Sequence, residues 1–355
     1  MTFFPHGPVR RLPIIPASLL RAHRVLEKSD TRFRACARLL QAIWREQQQL
    51  PIGLHLKKGG GKRPIGSLIS TSAAAAGRNF LSPRIAEVVR HEVVYRQLGA
   101  LIDQRRLFAN LVSSAGLAFN LFAPLRLNGE LAANAIRYLI PGIGLARVLR
   151  VQFEHSPGRR QPSLTNDQSA FDIAITFERH DGRTGFIGIE QKYTETGHES
   201  PHGDLPARLD ELAHESGLYK NPALALLRVN PLQQLFREHL LAQASLMRGD
   251  HAEAHFMLVA PRANHNLQQA ANLYSAHLDE PVEGQATFIN VELEKVIEAI
   301  GCAGELDYAY ALHDRFCAWD KVDDAVEQAL RAGSSDWHIS PPARARLSTT
   351  LAIAA

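Results

Sequence analysis

The chain has 355 residues, of which 45% are hydrophobic and 21% charged, so it is long enough to bury a full core as one large or two modest domains. Its three cysteines are too few and too scattered for a disulfide framework or a zinc knuckle, and we take them as reduced. No apolar run is long enough for a secretion signal or a membrane span, so we expect a cytoplasmic protein that does not enter membranes.

Alternation and helical periodicity predict the elements. In chain order these are helices over 17–49, 82–97 and 105–122, strands over 147–154, 171–177 and 186–193, a helix over 231–248, a strand over 254–260, a helix over 266–278, a strand over 286–291 and helices over 293–300 and 305–330. We divide the chain into a basic, mostly helical region (1–100), an α/β core (101–300) and C-terminal helices that pack on the core (301–355).

Charge is distributed unevenly between these regions. Residues 1–100 hold 17 Lys or Arg and 5 Asp or Glu, a net charge of +12, whereas the remainder holds 23 and 31, a net charge of −8. The basic residues include Arg21, Arg24, Arg32, Arg34, Arg38, Arg45, Lys57, Lys58, Lys62 and Arg63. Basic charge of this density on one side would attract a polyphosphate backbone, although a solubilised helical face would have the same composition.

Two neighbouring strands carry Asp172, Glu190 and Lys192. Alternation puts Asp172 on a face of small residues, opposite the large apolar residues of its strand, which are Phe171, Ile173, Ile175 and Phe177. On the next strand Glu190 and Lys192 point the same way, about 7 Å apart along the strand, whereas Tyr193 and Glu195 point away from Glu190. The alternative is an exposed edge hairpin with a surface ion pair, which would contribute little.

An acid on one strand followed by Glu-x-Lys on the next resembles the core motif of the PD-(D/E)XK nuclease superfamily, and the resemblance covers roughly residues 100–300. It implies a restriction-endonuclease-like α/β fold, with a central mixed sheet flanked by helices. The implied activity is hydrolysis of DNA phosphodiester bonds with Mg²⁺ or Mn²⁺; RNA cleavage would use the same site and is left open. The superfamily name implies Pro before the first acid, where this chain has Phe171.

The resemblance also implies roles for individual residues. Asp172 and Glu190 would bind the metal, the carbonyl of Gln191 would add an oxygen, and Lys192 would orient the attacking water or stabilise the transition state. No acid occurs in the first helix of the predicted core, 105–122, where many members have one. Glu154, at the end of the predicted strand 147–154, is the expected auxiliary ligand.

Weaker candidates follow from spacing alone. Gln234 and Arg237 lie three residues apart on the predicted helix 231–248, opposite its apolar stripe, and are expected to contact substrate phosphates unless they form a solvated face. His198 and His202 have a spacing that suggests zinc, but without a helix or a cysteine partner we expect a loop. The alternative function is a catalytically idle nucleic-acid-binding module of the same fold; homo-oligomerisation is left open.

Overall fold

The computed structural model of the protein describes residues 11–56, 59–100, 102–197 and 205–335. Within these ranges the helices are α1 (Ala17–Ala22), α2 (Arg32–Gln47), α3 (Thr71–Ala75), α4 (Pro83–Val94), α5 (Gln104–Ala109), α6 (Ser114–Leu127), α7 (Gly129–Leu139), α8 (Ala207–Ser216), α9 (Gln233–Met247), α10 (His265–Ala276), α11 (Leu293–Cys302), α12 (Leu306–Phe316) and α13 (Asp320–Ser335). The strands are β1 (Ile52–Leu56), β2 (Lys62–Ile69), β3 (Leu145–His155), β4 (Phe171–Arg179), β5 (Thr184–Gln191), β6 (Glu253–Ala260) and β7 (Thr287–Glu292). His198, His202, Lys57 and Lys58 lie outside the described residues.

A five-stranded mixed sheet in the order β3-β4-β5-β6-β7 forms the centre of the described fold. The pairs β3–β4 and β4–β5 are antiparallel, whereas the pairs β5–β6 and β6–β7 are parallel. The parallel steps contain α8 and α9 between β5 and β6, and α10 between β6 and β7, because parallel neighbours need a long crossover. The predicted α/β class, with a central mixed sheet flanked by helices, is confirmed.

Both faces of the sheet are covered. Ile173 and Ile187 belong to a large apolar cluster with residues of α2, α6, α7 and α11, and Ala174 and Phe186 belong to a second cluster with residues of α8, α9 and α10. Strands that are buried on both sides have no face on which a charged side chain is freely hydrated. An ionisable residue on β4 or β5 therefore requires partners inside the protein. No helix in the described residues is long and apolar enough to cross a membrane.

The first hundred residues contain a hairpin that the sequence analysis missed. β1 and β2 pair antiparallel, and the three glycines Gly59–Gly61 lie between them. Pro64 and the adjacent basic residues obscured the alternation of β2. α2 packs into the large cluster, which extends from Leu12 to Val322. The division into three regions stays a prediction.

Two predicted helices are interrupted. The helix predicted over 17–49 is broken where Arg24 takes a left-handed backbone conformation (φ 56°), and the next helix begins after the Thr31 cap, whose side chain accepts from the Arg34 N–H. The helix predicted over 105–122 is broken at Asn110, which is extended and bridges Leu68 of β2. In both cases tertiary pairing outweighs helical periodicity.

Phe171 does not follow the predicted alternation. It packs in the second cluster, with Ala174, rather than beside Ile173. Its ring occupies the space that a side chain at Gly188 would fill, on the strand next to it. The missing side chain of Gly188 therefore allows the first residue of β4 to turn toward the α9 side of the sheet.

Candidate active site

The ends of three strands bring three acids to one edge of the sheet. β4 and β5 are antiparallel, and the register that pairs Ile173 with Ile189 puts Asp172 opposite Glu190. Glu154 is the penultimate residue of β3, the other neighbour of β4, and it takes a left-handed conformation (φ 49°). Such a backbone is uncommon for a residue with a side chain and is found at functional sites more often than elsewhere.

Lys192 lies directly against the acids. Its Nζ atom is 2.6 Å from Glu190 Oε1 and donates a hydrogen bond of 2.8 Å to Gln234 Oε1. The Gln191 N–H donates to Asp172 Oδ2 at 2.9 Å, which fixes the first acid against the backbone of β5. Since β4 and β5 are internal strands and Glu190 is only 4% exposed, the alternative of an exposed edge hairpin is wrong.

Helix α9 completes the polar network from the second face of the sheet. The Gln234 amide donates to Glu190 Oε1 at 2.7 Å and to Glu238 Oε1 at 2.9 Å. Glu238 is 4% exposed, and the sequence analysis did not single it out. Its position one helical turn after Gln234 was the available signal, because residues four apart share a helix face. α9 is buried almost all round, so the expected alternative of a solvated face is wrong.

Arg237 lies on the same helix but in a different environment. It is 7% exposed, and its Nε atom lies 3.5 Å from Asp167 Oδ2. Asp167 belongs to the loop between β3 and β4 and also accepts from Thr165 and Ser169 in that loop. Arg237 therefore connects α9 to this loop, and its contact with substrate stays a prediction.

Glu195 lies within electrostatic reach of Lys192, whereas its predicted direction, away from Glu190, stays a prediction. β5 ends before it, so alternation no longer applies. Its carboxylate accepts from the Tyr193 N–H at 2.8 Å, from Ser114 Oγ at 2.8 Å and from Arg106 Nη2 at 2.7 Å. Although burial opposes ionisation, Lys192 and these donors lower the pKa of Glu195. Glu195 thus supplies a second negative charge near Lys192.

Burial and mutual repulsion shift the proton affinities of the acids. Burial, then the charges of Glu190 and Glu154, raise the pKa of Asp172 well above its usual range. Burial and Glu190 likewise raise the pKa of Glu154 to about 7 and that of Glu238 well above its usual value. Burial would lower the pKa of Lys192, but the surrounding carboxylates outweigh it and raise the pKa, so this ammonium stays charged. These three acids therefore hold their protons to higher pH than exposed carboxylates do.

The residues fit a hard divalent cation by their chemistry. In the described ranges no group of three or more His, Cys, Asp or Glu side chains is assembled around one point to hold a metal. Glu190 Oε1 is instead bonded to Lys192 and Gln234. Carboxylate oxygens are nevertheless the ligands that Mg²⁺ prefers, and the buried Glu238 Oε2 accepts no hydrogen bond from the described residues. A cation bound among these carboxylates would reduce the repulsion between them and could give the Glu238 Oε2 atom a partner.

Of the ten basic residues named above for the first hundred positions, the eight that the structure describes fall into two groups. Arg38 and Arg34 pair with Asp30, Arg63 pairs with Glu27, and Arg45 bonds the carbonyls of Gly66 and Leu50. These side chains hold the fold together. The exposed group comprises Arg21, Arg24, Arg32 and Lys62.

Comparison with known proteins gives one match. A family model for the PD-(D/E)XK nuclease superfamily matches residues 28–318, which is most of the chain. No curated protein and no solved structure matches. The matched range includes every site residue described above.

Proposed function

Because the chain belongs to the PD-(D/E)XK nuclease superfamily, we propose that it is a metal-dependent nuclease that hydrolyses the phosphodiester bonds of DNA. The observation that carries the proposal is the convergence of Asp172, Glu190 and Lys192 at one edge of the sheet, where the lysine ammonium contacts the second acid at 2.6 Å. Membership alone would not identify an intact site, but these three side chains together supply the groups that the chemistry needs.

The metal-holding residues in this proposal are Asp172, Glu190 and Glu154, with the carbonyl of Gln191 as a further oxygen. A bound Mg²⁺ or Mn²⁺ would supply an activated water and screen the charge on the scissile phosphate. The raised pKa of Asp172 and of Glu154 supports this assignment, because carboxylates that repel one another are the ones that a nearby cation returns to the ionised form.

Lys192 acts as a fixed positive charge in this proposal. Its ammonium is held by Glu190 and Gln234, and its raised pKa means that it donates hydrogen bonds and does not serve as a base at neutral pH. A preorganised donor of this kind stabilises the negative charge that develops on phosphorus, and it also orients a water molecule. Gln234 is then a positioning residue for Lys192 as well as a candidate substrate contact.

The substrate would approach along basic residues. We propose that the exposed group of Arg21, Arg24, Arg32 and Lys62 helps to hold the phosphate backbone, with binding that weakens as salt rises. Arg106 lies close enough to lower the pKa of Glu154 and is a nearer candidate for phosphate contact. RNA presents the same phosphates and stays open as a substrate, and a cytoplasmic location stays a prediction.

Plasmid nicking tests the proposal. Purified protein is incubated with supercoiled plasmid and Mg²⁺ or Mn²⁺, beside Asp172→Asn and Lys192→Ala. Asp181→Asn and Lys220→Ala are matched controls, because Asp181 lies in the exposed β4–β5 turn and Lys220 is exposed and bonds the Ala276 carbonyl. We expect nicking by the wild type and the controls and loss of nicking in the two site variants. Equal nicking by all proteins, or none with either metal, would contradict the proposal.

A catalytically idle nucleic-acid-binding module is the second candidate. The observation that favours it is the bonding of Glu190 Oε1 to Lys192 and Gln234, which leaves no preassembled metal-holding group among the described residues. Calorimetric titration with Mn²⁺ separates the two candidates. A protein that binds DNA in a salt-sensitive manner but has no Mn²⁺ site would be the idle module.

A further inference from the structure

The polar network contains an acid that comes from a helix. Glu238 comes from α9, on the helical layer that covers the second face of the sheet, whereas Asp172, Glu190 and Glu154 come from strand ends. Gln234 Nε2 donates to both Glu190 Oε1 and Glu238 Oε1, at 2.7 Å and 2.9 Å. One amide group therefore holds the two carboxylates side by side.

The second oxygen of Glu238 has no hydrogen-bond partner in the described part of the chain. Glu238 is 96% buried, and its Oε2 atom accepts no hydrogen bond from any described residue. An ionised carboxylate oxygen that is buried without a donor is strongly unfavourable, so a native structure keeps one only where something else satisfies it. The charges that act on Glu238 are those of the site itself, namely Glu190, Lys192 and Asp172.

The arrangement offers a divalent cation a place that the carboxyl proton of Glu238 would otherwise fill, since burial and Glu190 raise the pKa of Glu238. The carboxylates of Asp172 and Glu190 lie within electrostatic reach of both Glu154 and Glu238, and the Lys192 ammonium is already bonded to Glu190. Oxygen-rich sites with excess negative charge favour divalent cations. Without a bound ion, the buried Glu238 Oε2 atom would lack a partner, which costs free energy of folding.

We infer that Glu238 is a further metal ligand of the site, held in place by Gln234 and offering its free Oε2 atom from the helix side. The inference rests on the proposed nuclease function and adds to it a ligand that comes from α9. It predicts that metal affinity depends on a helical residue as well as on the strand-end acids.

Mn²⁺ binding to the full chain tests the inference by calorimetry, without an activity readout. We expect Glu238→Gln, which keeps the shape of the side chain, to weaken Mn²⁺ binding by about 10- to 100-fold, the scale found when groups around a metal are removed. Glu298→Gln is the matched control, because Glu298 is also fully buried but lies on α11 near Lys295, and we expect it to bind as the wild type does. Circular dichroism verifies that each variant is folded.

Glu238→Asp separates ligation from a through-space effect of charge. It retains the negative charge but shortens the side chain by one methylene, so a ligand would lose affinity and a distant charge would not. Wild-type affinity in Glu238→Gln or in Glu238→Asp would overturn the inference.

Asp172→Asn and Glu190→Gln distinguish this failure from failure of the proposed function. If these two variants lose Mn²⁺ binding while Glu238→Gln does not, only the assignment of Glu238 fails. If the wild-type chain binds no Mn²⁺, the nuclease proposal and the inference both fail.

Discussion

Substituting Gly188 with alanine tests how closely the core and the candidate site are coupled. Gly188 lies in the middle of β5, and a Cβ atom built there falls less than 3.0 Å from three ring atoms of Phe171. Phe171 is fully buried, and its ring packs against Phe186 and Phe256 with centroids 5.4 Å and 6.2 Å away. The ring has no open space to enter, so the backbone of β4 must move with it.

The expected loss of stability follows from this geometry. Overpacking a closed core costs about 1–3 kcal/mol. Replacing glycine also restricts the unfolded chain, which stabilises the folded state by about 0.4–1 kcal/mol. Urea unfolding should therefore show Gly188→Ala to be less stable by about 1–2 kcal/mol. Because Phe171 directly precedes Asp172, plasmid nicking should also fall, and a displacement of about 1 Å can reduce rates by about 100-fold.

A double-mutant cycle identifies the cause. Phe171→Leu removes the ring edge that the new methyl group meets, so Gly188→Ala should be less harmful in that background, with a coupling energy of about 0.5–3 kcal/mol. Gly59→Ala is the control, since a Cβ there meets nothing within 4 Å. Additive effects of the two substitutions, or a Gly188→Ala protein as stable as the wild type, would refute the reasoning.

Three further outcomes are expected. Lys192→Met should destabilise the protein by about 3–5 kcal/mol in urea unfolding, because it leaves the buried Glu190 without its counter-ion; an unchanged midpoint would contradict this. Gln234→Ala should reduce nicking by about 10- to 100-fold, as expected for a group that orients site residues, and wild-type rates would exclude that role. Burial raises the pKa of Glu294 despite the hydrogen bond from the Arg262 N–H, so the native state holds this proton more tightly than the unfolded chain does. Stability should therefore fall as pH rises through the folded pKa, and Glu294→Gln should be more stable than the wild type at pH 8 but not at pH 4; a constant difference would contradict this.

The sequence predicted the sheet and the polar ends of its strands because both depend on local patterns. Alternation over a short strand determines which way Glu190 and Lys192 point, and their 2.6 Å contact agrees with that pattern. The resemblance to the superfamily, now supported by the match over residues 28–318, supplied the central mixed sheet flanked by helices, which alternation alone leaves open.

The missed features depend on contacts between distant parts of the chain. Glu195 lies beyond the end of β5, where Ser114 and Arg106, 81 and 89 residues earlier in the chain, donate to its carboxylate. Glu238 enters because α9 packs on the sheet with a face that is polar but buried. Phe171 changes face because a glycine on the neighbouring strand makes room. None of these follows from the periodicity of one segment.

The hydroxyl of Tyr193 has a consequence for genetic experiments. It is bonded by Gln41 of α2, at 3.2 Å, and donates to the Phe316 carbonyl of α12, at 3.4 Å. The neighbouring Arg315 also bonds Gln41, and its guanidinium stacks 3.9 Å from the ring of Trp44. The residue next to Lys192 is thus bonded to α2, 152 residues earlier in the chain, and to α12, 123 residues later. A mutational screen scored by phenotype would collect inactive alleles at these remote positions, and only a parallel measurement of protein abundance would distinguish them from lesions in the reacting groups.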